Sequence, residues 1–479
     1  MDRRDFLRAA GGSTLAALSA EAAIDSTSGG DGRPNVLLIV GDDCTWTDLP
    51  LYGGTNVETP HIDRLAGQGL TFDRAYVSMS MCQPCRSELY TGLYPVRNGC
   101  CWNHSACRPG TESIAHHLGE RGYRVGIAGK VHVKPRRCFP FERVPGIEGN
   151  CVSQTARLQT DGLREFMTRD DGQPFCLAAC LVVPHIPWSV GAPGDFDPEE
   201  LSLPPYLADT PRTRSEYDRY LAEVEVLDRQ VGRILETLRE AGHAEDTLVL
   251  FTSEQGAQFP GCKWTIWEDG IHTALVARWP GVVPGGRRTD ALVQYADMLP
   301  TLLDAAGGDP AARGYDGSSF LPVLQGKTDR HRRYAYAMHN NVPEGPPYPA
   351  RSVHDGTYHY IRNLRPERTY VNKWIMGKPE HSSCWQTWNF SAVKNPRTYE
   401  LIHRYMNRPA EQLYHTGRDR HEMKNLADRP DYREVKERLS GELDRWMESQ
   451  GDPGAELDTR EALRRRRREA RRYQQEATG

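Results

Sequence analysis

Asn35-Val36-Leu37-Leu38-Ile39-Val40-Gly41-Asp42-Asp43 joins a short apolar run to a glycine and two adjacent carboxylates. A run of this length without polar alternation suits a strand covered on both faces, as in a parallel sheet. The same plan recurs along the chain. Tyr123 to Ala128 ends at Gly129-Lys130, Phe175 to Val183 runs into Pro184-His185, and Thr247 to Thr252 is followed by Ser253-Glu254-Gln255. Helical stretches separate these runs: Thr111 to Arg121, and Ser215 to Leu238, where Leu221, Val224, Leu227, Val231, Ile234 and Leu238 recur at helical spacing. Strands alternating with amphipathic helices predict an α/β sheet. In such sheets functional groups collect beyond the carboxyl ends of the strands. Asp42, Asp43, Lys130, His132, His185, Glu254 and Gln255 all fall there.

The 479 residues exceed what one core organises, so two subdomains are expected, with a soft boundary near residue 330. Beyond it, Tyr334 to Met338, Arg351 to Val353 and Thr357 to Ile361 read as short strands of a smaller antiparallel sheet, and Val435 to Met447 as a helix. The expected organisation is a leader over 1–22, a main domain over 33–330, a smaller subdomain over 331–450 and a basic, flexible tail over 451–479, where Arg464 to Arg468 are consecutive arginines. A hydrophobic fraction of 38% and a charged fraction of 26% fit a globular enzyme, and a net charge of −4 gives no reason to expect nucleic acid as a partner. No apolar run is long enough to span a bilayer. Arg3-Arg4-Asp5-Phe6-Leu7 followed by the mildly apolar Ala9 to Leu18 resembles a twin-arginine export signal, which implies the export machinery as a partner and a periplasmic or secreted product.

Cys82-Gln83-Pro84-Cys85-Arg86, continued by Ser87-Glu88-Leu89-Tyr90-Thr91-Gly92, is the stretch richest in chemistry. Taken alone, C-x-x-C also fits a buried pair or half of a zinc knuckle. Eleven further cysteines accompany Cys82, and no disulfide pairing is assigned to them.

The pentapeptide resembles the C-x-P-x-R signature of type I sulfatases, in which the cysteine is oxidised to formylglycine. Other elements resemble the same family in the same order: the opening strand with Asp42-Asp43, Thr59-Pro60-His61 through Ala66, Gly129-Lys130-Val131-His132, Pro184-His185-Ile186-Pro187, and Trp279-Pro280-Gly281. The resemblance spans about Asn35 to Ala427 and implies an alkaline-phosphatase-like fold, a large mixed, mostly parallel sheet flanked by helices. It implies a sulfatase of sulfated carbohydrates, with Cys82, Arg86, Lys130, His132, His185 and Lys263 as catalytic residues. Lys130, His185 and Lys263 would also bind the sulfate. Asp42, Asp43, Cys82, Glu254 and Gln255 would surround a calcium ion, or magnesium. Where the family has Asp followed by Asn or His, this chain has Glu254-Gln255, each one methylene longer than Asp or Asn. The resemblance also implies a formylglycine-generating or anaerobic sulfatase-maturating enzyme as a partner. Gln255-Gly256, Phe259 to Trp264 and Asp209-Thr210-Pro211 are similar to bacterial relatives of heparan N-sulfatases.

An unmodified thiolate would make a stable S-sulfonate with sulfate, whereas an aldehyde hydrate attacks through one hydroxyl and expels sulfate with the other. The resemblance leaves as alternatives a phosphonate or phosphodiester hydrolase, which shares the fold and nucleophile type, and a non-catalytic glycan-binding protein; the cysteines alone leave a zinc protein. Asn98, His104, Arg351 and Arg362 are candidates to line sugar subsites, or are structural. Trp264, Trp267, Trp385 and Trp388 offer stacking faces for sugars or pack in the core.

Overall fold

The computed structural model describes residues 32–152, 154–169, 172–192, 197–377 and 384–476. The leader expected over 1–22 lies outside them. Eight strands form the large sheet: β1 (Asn35–Gly41), β2 (Leu70–Phe72), β3 (Arg124–Gly129), β4 (Glu142–Val144), β5 (Phe175–Cys180), β6 (Thr247–Ser253), β7 (Leu275–Arg278) and β8 (Arg287–Thr289). Their spatial order is β8-β2-β7-β6-β1-β5-β3-β4. The five strands from β6 to β4 are parallel, while β7 runs antiparallel to β6 and β2.

Every residue of β1, β3, β5 and β6 is buried, which accounts for their lack of polar alternation. Register then aligns their carboxyl ends. Gly41 pairs with Ser253, Val40 with Cys180, and Gly129 with Cys180. The four strands therefore stop within about one residue of each other, and the polar residues that follow enter a common space. At Gly129, φ is +80°, and a Cβ there would lie 2.0 Å from the Cys180 carbonyl oxygen. Only glycine lets β3 turn that closely over β5.

The helix α1 (Cys82–Thr91) is buried at all ten positions, and α2 (Pro211–Glu240) is longer than the sequence pattern predicts. Thr210 caps α2 by accepting from the Thr213 N–H, with Pro211 in the first turn, where its missing N–H costs nothing.

A second sheet of β9 (Ala335–His339), β10 (Ala350–His354), β11 (Tyr358–Asn363) and β12 (Glu411–His415) is antiparallel throughout, as expected. Helix α3 (Arg433–Gln450) lays Leu439, Leu443 and Trp446 against it, and the Trp446 ring stacks on Tyr336 with centroids 5.0 Å apart. A buried polar network ties this sheet to a third, three-stranded sheet of Ala75–Tyr76, His272–Thr273 and Val293–Gln294. The Glu268 N–H donates to Glu422 Oε2 at 2.8 Å, Glu422 Oε1 meets His359 Nδ1 at 2.6 Å, and Glu268 Oε1 accepts from Tyr76 at 2.9 Å.

The segment past 451 departs from the flexible tail that its composition predicts. Buried Asp458 accepts from the N–H groups of Asn341, Val342 and Tyr348 at 2.7–2.9 Å, and Thr459 caps helix α4 (Arg460–Gln475). Ala462, Leu463 and Ala470 of α4 are buried, so a sparse apolar stripe anchors an otherwise arginine-rich helix. Arg351 does not line a subsite. It is fully buried and bridges Asp452, with Nη2 2.9 Å from Oδ1. Arg362 is also engaged, on Asp444 and Ser440. Trp264, Trp267, Trp385 and Trp388 are all buried, the core-packing alternative.

Removing one partner of a buried pair leaves the other charge uncompensated. Asp452→Asn is expected to lower the unfolding free energy by about 3–5 kcal/mol, read by urea denaturation with tryptophan fluorescence. A loss below about 1 kcal/mol would show that Arg351 is satisfied by its backbone carbonyl partners alone.

Candidate active site

Four of the five parallel strands each deliver one element of the site. Asp42 and Asp43 follow β1, Lys130 and His132 follow β3, His185 follows β5, and Glu254 and Gln255 follow β6. Backbone bonds lock these exits together: Asp42 N–H to Val183, Lys130 N–H to Cys180 and Glu254 N–H to Gly41. Cys82 begins α1, so the positive end of the helix dipole faces the site. Arg86, four residues on, lies on the same helix face. Pro84 sits in the first turn, where proline is tolerated.

The charged side chains form interlocked pairs. Lys130 Nζ lies 2.8 and 2.6 Å from the two Asp42 oxygens, and Lys263 Nζ lies 2.5 Å from Asp43 Oδ2. Arg86 Nε donates to Glu254 Oε1 at 2.8 Å, and its Nη1 donates to the Lys130 carbonyl at 3.0 Å. Gln255 Nε2 reaches Asp43 Oδ1 at 2.6 Å and Cys82 Sγ at 3.4 Å. The Cys82 thiol is 3.9 Å from Asp42 and 3.8 Å from Asp43. His185 Nε2 approaches Asp43 Oδ2 at 3.5 Å, and His132 lies beside the Cys82 thiol.

These contacts set the protonation states. Burial and Glu254 would raise the Cys82 thiol, but Lys130, Lys263 and the neighbouring His132 outweigh them and hold it well below the usual thiol range. Burial would lower Lys130, yet Asp42, Cys82 and Glu254 keep its ammonium well above its ordinary value. Burial pushes His132 down to about 4, so its ring is neutral near pH 7. Burial and Lys263 oppose protonation of His185, but Asp43 and Asp42 prevail and raise it.

The structure thus brings together all ten sequence-predicted positions: Asp42, Asp43, Cys82, Arg86, Lys130, His132, His185, Glu254, Gln255 and Lys263. One donor atom from each of Asp42, Asp43, Cys82 and Glu254 falls within 4.8 Å of the others. Among the described residues the buried Gln255 amide oxygen has no hydrogen-bond partner, which suits an oxygen donor to a cation. This oxygen-rich set fits a hard divalent ion. The longer Glu254 also spans to Arg86, so its carboxylate serves a guanidinium as well as that space.

Two further side chains flank the site. Cys151 Sγ is 3.5 Å from Asp42 Oδ2 and comes from a loop without a motif. His104, a subsite candidate, has its ring centroid 5.4 Å from that of His132. Its loop is held by Gln83 Nε2 donating to the Ser105 carbonyl at 2.6 Å, so the residue after Cys82 positions it. Asn98 is buried and bonds the Leu93 carbonyl, a structural role.

The sulfatase family model matches residues 34–308. The chain belongs to the sulfatase family. It is therefore a sulfuric ester hydrolase, and its fold is the alkaline-phosphatase-like one. A model described as N-sulphoglucosamine sulphohydrolase, C-terminal, matches residues 262–374. An ulvan-active sulfatase of Formosa agariphila is 30% identical over 458 residues, covering 92% of this chain and 85% of that protein. Human N-sulphoglucosamine sulphohydrolase is 28% identical over 479 residues, covering 88% and 91%. A protein solved in complex with its substrate D-glucosamine-2-N,6-O-disulfate superposes with a TM-score of 0.66 at 19% identity, covering 88% of this chain and 99% of that one.

The loop after His185 has a titratable anchor. Glu223 of α2 accepts from the Ser189 and Val190 N–H groups at 2.7 and 3.1 Å, and burial raises its carboxyl to about 8. A folded value above the unfolded 4.5 favours the protonated form, so this contribution is full below about 4.5 and is lost as pH rises towards about 8. Glu223→Gln keeps the acceptor and cannot ionise. Its stability relative to wild type is expected to climb between those pH values by on the order of 1 kcal/mol or more. Thermal melts across that range would check this, and parallel profiles would refute it.

Proposed function

We propose that this chain hydrolyses sulfate ester or N-sulfate groups of a sulfated carbohydrate, using a formylglycine made from Cys82 by a maturation enzyme. The observation that carries it is the convergence on Cys82 of three carboxylates and three cations at the strand ends. The ulvan and N-sulphoglucosamine relatives support a carbohydrate substrate, because both match along most of this chain.

A formylglycine hydrate at position 82 would supply the oxygen that attacks sulfur and a route to release sulfate by re-forming the aldehyde. A calcium or magnesium ion would be held by Asp42, Asp43, Glu254 and Gln255 beside residue 82 and would offset the negative charge of the sulfate. The chain's own side chains do the rest. Lys130 and Lys263 stay charged on their carboxylate partners, and disperse charge on sulfate oxygens as the transition state forms. Arg86, fixed between Glu254 and the Lys130 carbonyl, orients the group at position 82. The neutral His132 ring takes a proton from that group. His185, whose charged form Asp43 favours against burial, donates one to the departing oxygen or nitrogen. The arginine pair at the N-terminus fits export of the matured, folded enzyme.

The test combines peptide mass spectrometry of residue 82 with turnover, in protein co-expressed with a maturation enzyme. Aldehyde at residue 82, turnover of aryl sulfate above aryl phosphonate, and release of sulfate from N-sulfoglucosamine or a sulfated oligosaccharide are expected. Cys82→Ala should lose about 10³-fold or more, and chelation should abolish activity until calcium or magnesium returns. Confirmed aldehyde with binding but no turnover would favour a glycan-binding protein, and a preference for phosphonate esters would favour the phosphonate hydrolase.

A further inference from the structure

Helix α4 closes one side of a cleft of about 570 Å³ whose other side is formed by the loops at 104–106 and 134–136. Arg467, Ala470, Arg471 and Gln474 recur at the spacing of one helix face and point into it. Lys134 and Arg136 face them. Among the described residues no acidic side chain lines the cleft, and none of Lys134, Arg136, Arg467 and Arg471 has a carboxylate within ion-pair distance. Elsewhere on this surface arginines are commonly paired, as in Arg466–Glu469 on the same helix. Four unpaired cations around a cavity of ligand size form a site for anions.

The cleft adjoins the candidate active site. Its wall includes His104, whose ring neighbours His132, and Ser105, whose carbonyl is held by the residue next to Cys82. Arg467 Nε donates to the His104 carbonyl at 2.8 Å, so α4 is fastened to that wall. A sugar chain with one unit at Cys82 would pass over His104 and present its next units to the arginines.

We propose that this cleft is a subsite for a second anionic unit, bearing carboxylate or sulfate, of an oligosaccharide substrate. This rests on the proposed carbohydrate sulfatase reading and adds that the enzyme recognises its sulfated residue within a longer anionic chain. Arginine forks suit both groups through paired N–H donors, and Arg467 and Arg471 lie more than 380 residues beyond Cys82 in sequence, so no motif near the nucleophile reveals them.

The experiment compares wild type with the Arg136→Ala/Arg471→Ala double variant, both exposed positions. On a sulfated tetrasaccharide the variant should lose about 10- to 100-fold in kcat/KM, mostly through KM. Turnover of aryl sulfate, too short to reach the cleft, should stay within about two-fold. Equal losses on both substrates, or no loss on the tetrasaccharide, would overturn the proposal. Calorimetry with the same tetrasaccharide in a Cys82→Ala background separates this from the catalytic reading: binding there that the two arginine changes abolish supports the subsite even without turnover. A single-stranded DNA oligomer of equal charge binding as tightly would overturn it in favour of a non-selective polyanion surface.

Discussion

Three buried carboxylates and three buried cations meet at the carboxyl edge of one sheet, and neither set could be buried without the other. Lys130 on Asp42, Lys263 on Asp43 and Arg86 on Glu254 all have contacts of 2.5–2.8 Å. Stranding any one charge would cost several kcal/mol. The pairs draw on four separate segments, so they form only when β1, β3 and β6 are in register and α1 is docked. Charge balance therefore acts as a test of the whole sheet's assembly.

Much of this was legible because buried parallel strands write continuous apolar runs, and because the residues that follow them keep local spacing. Asp42 and Asp43, Lys130 and His132, and Glu254 and Gln255 were all found by that logic. What local pattern does not carry is tertiary partnership. Arg351 alternates like a strand residue and gives no sign that Asp452 will bury it. The 460–475 segment has a composition that reads as solvated, yet Ala462, Leu463 and Ala470 are enough to seat it once Asp458 and Thr459 fix its start. The Glu254–Arg86 contact was equally hidden, since 168 residues separate the partners.

The smaller antiparallel sheet is tied to the rest of the fold through polar contacts as well as apolar ones. Glu268 lies five residues past Lys263, so the network of Glu268, Glu422 and His359 reaches close to a site cation from the smaller sheet. Helix α4 extends the same dependence, since a segment near the C-terminus forms a wall beside His104.

Helix α1 is buried at every position, and Cys82 is only 2% exposed. No modifying enzyme could grip residues 82–86 in the finished fold without prying out a central helix. On the proposed reading, conversion of Cys82 therefore belongs to the lifetime of the nascent or unfolded chain. The speed at which the sheet closes over this segment then sets a deadline, and a molecule that folds first is committed to the unconverted thiol.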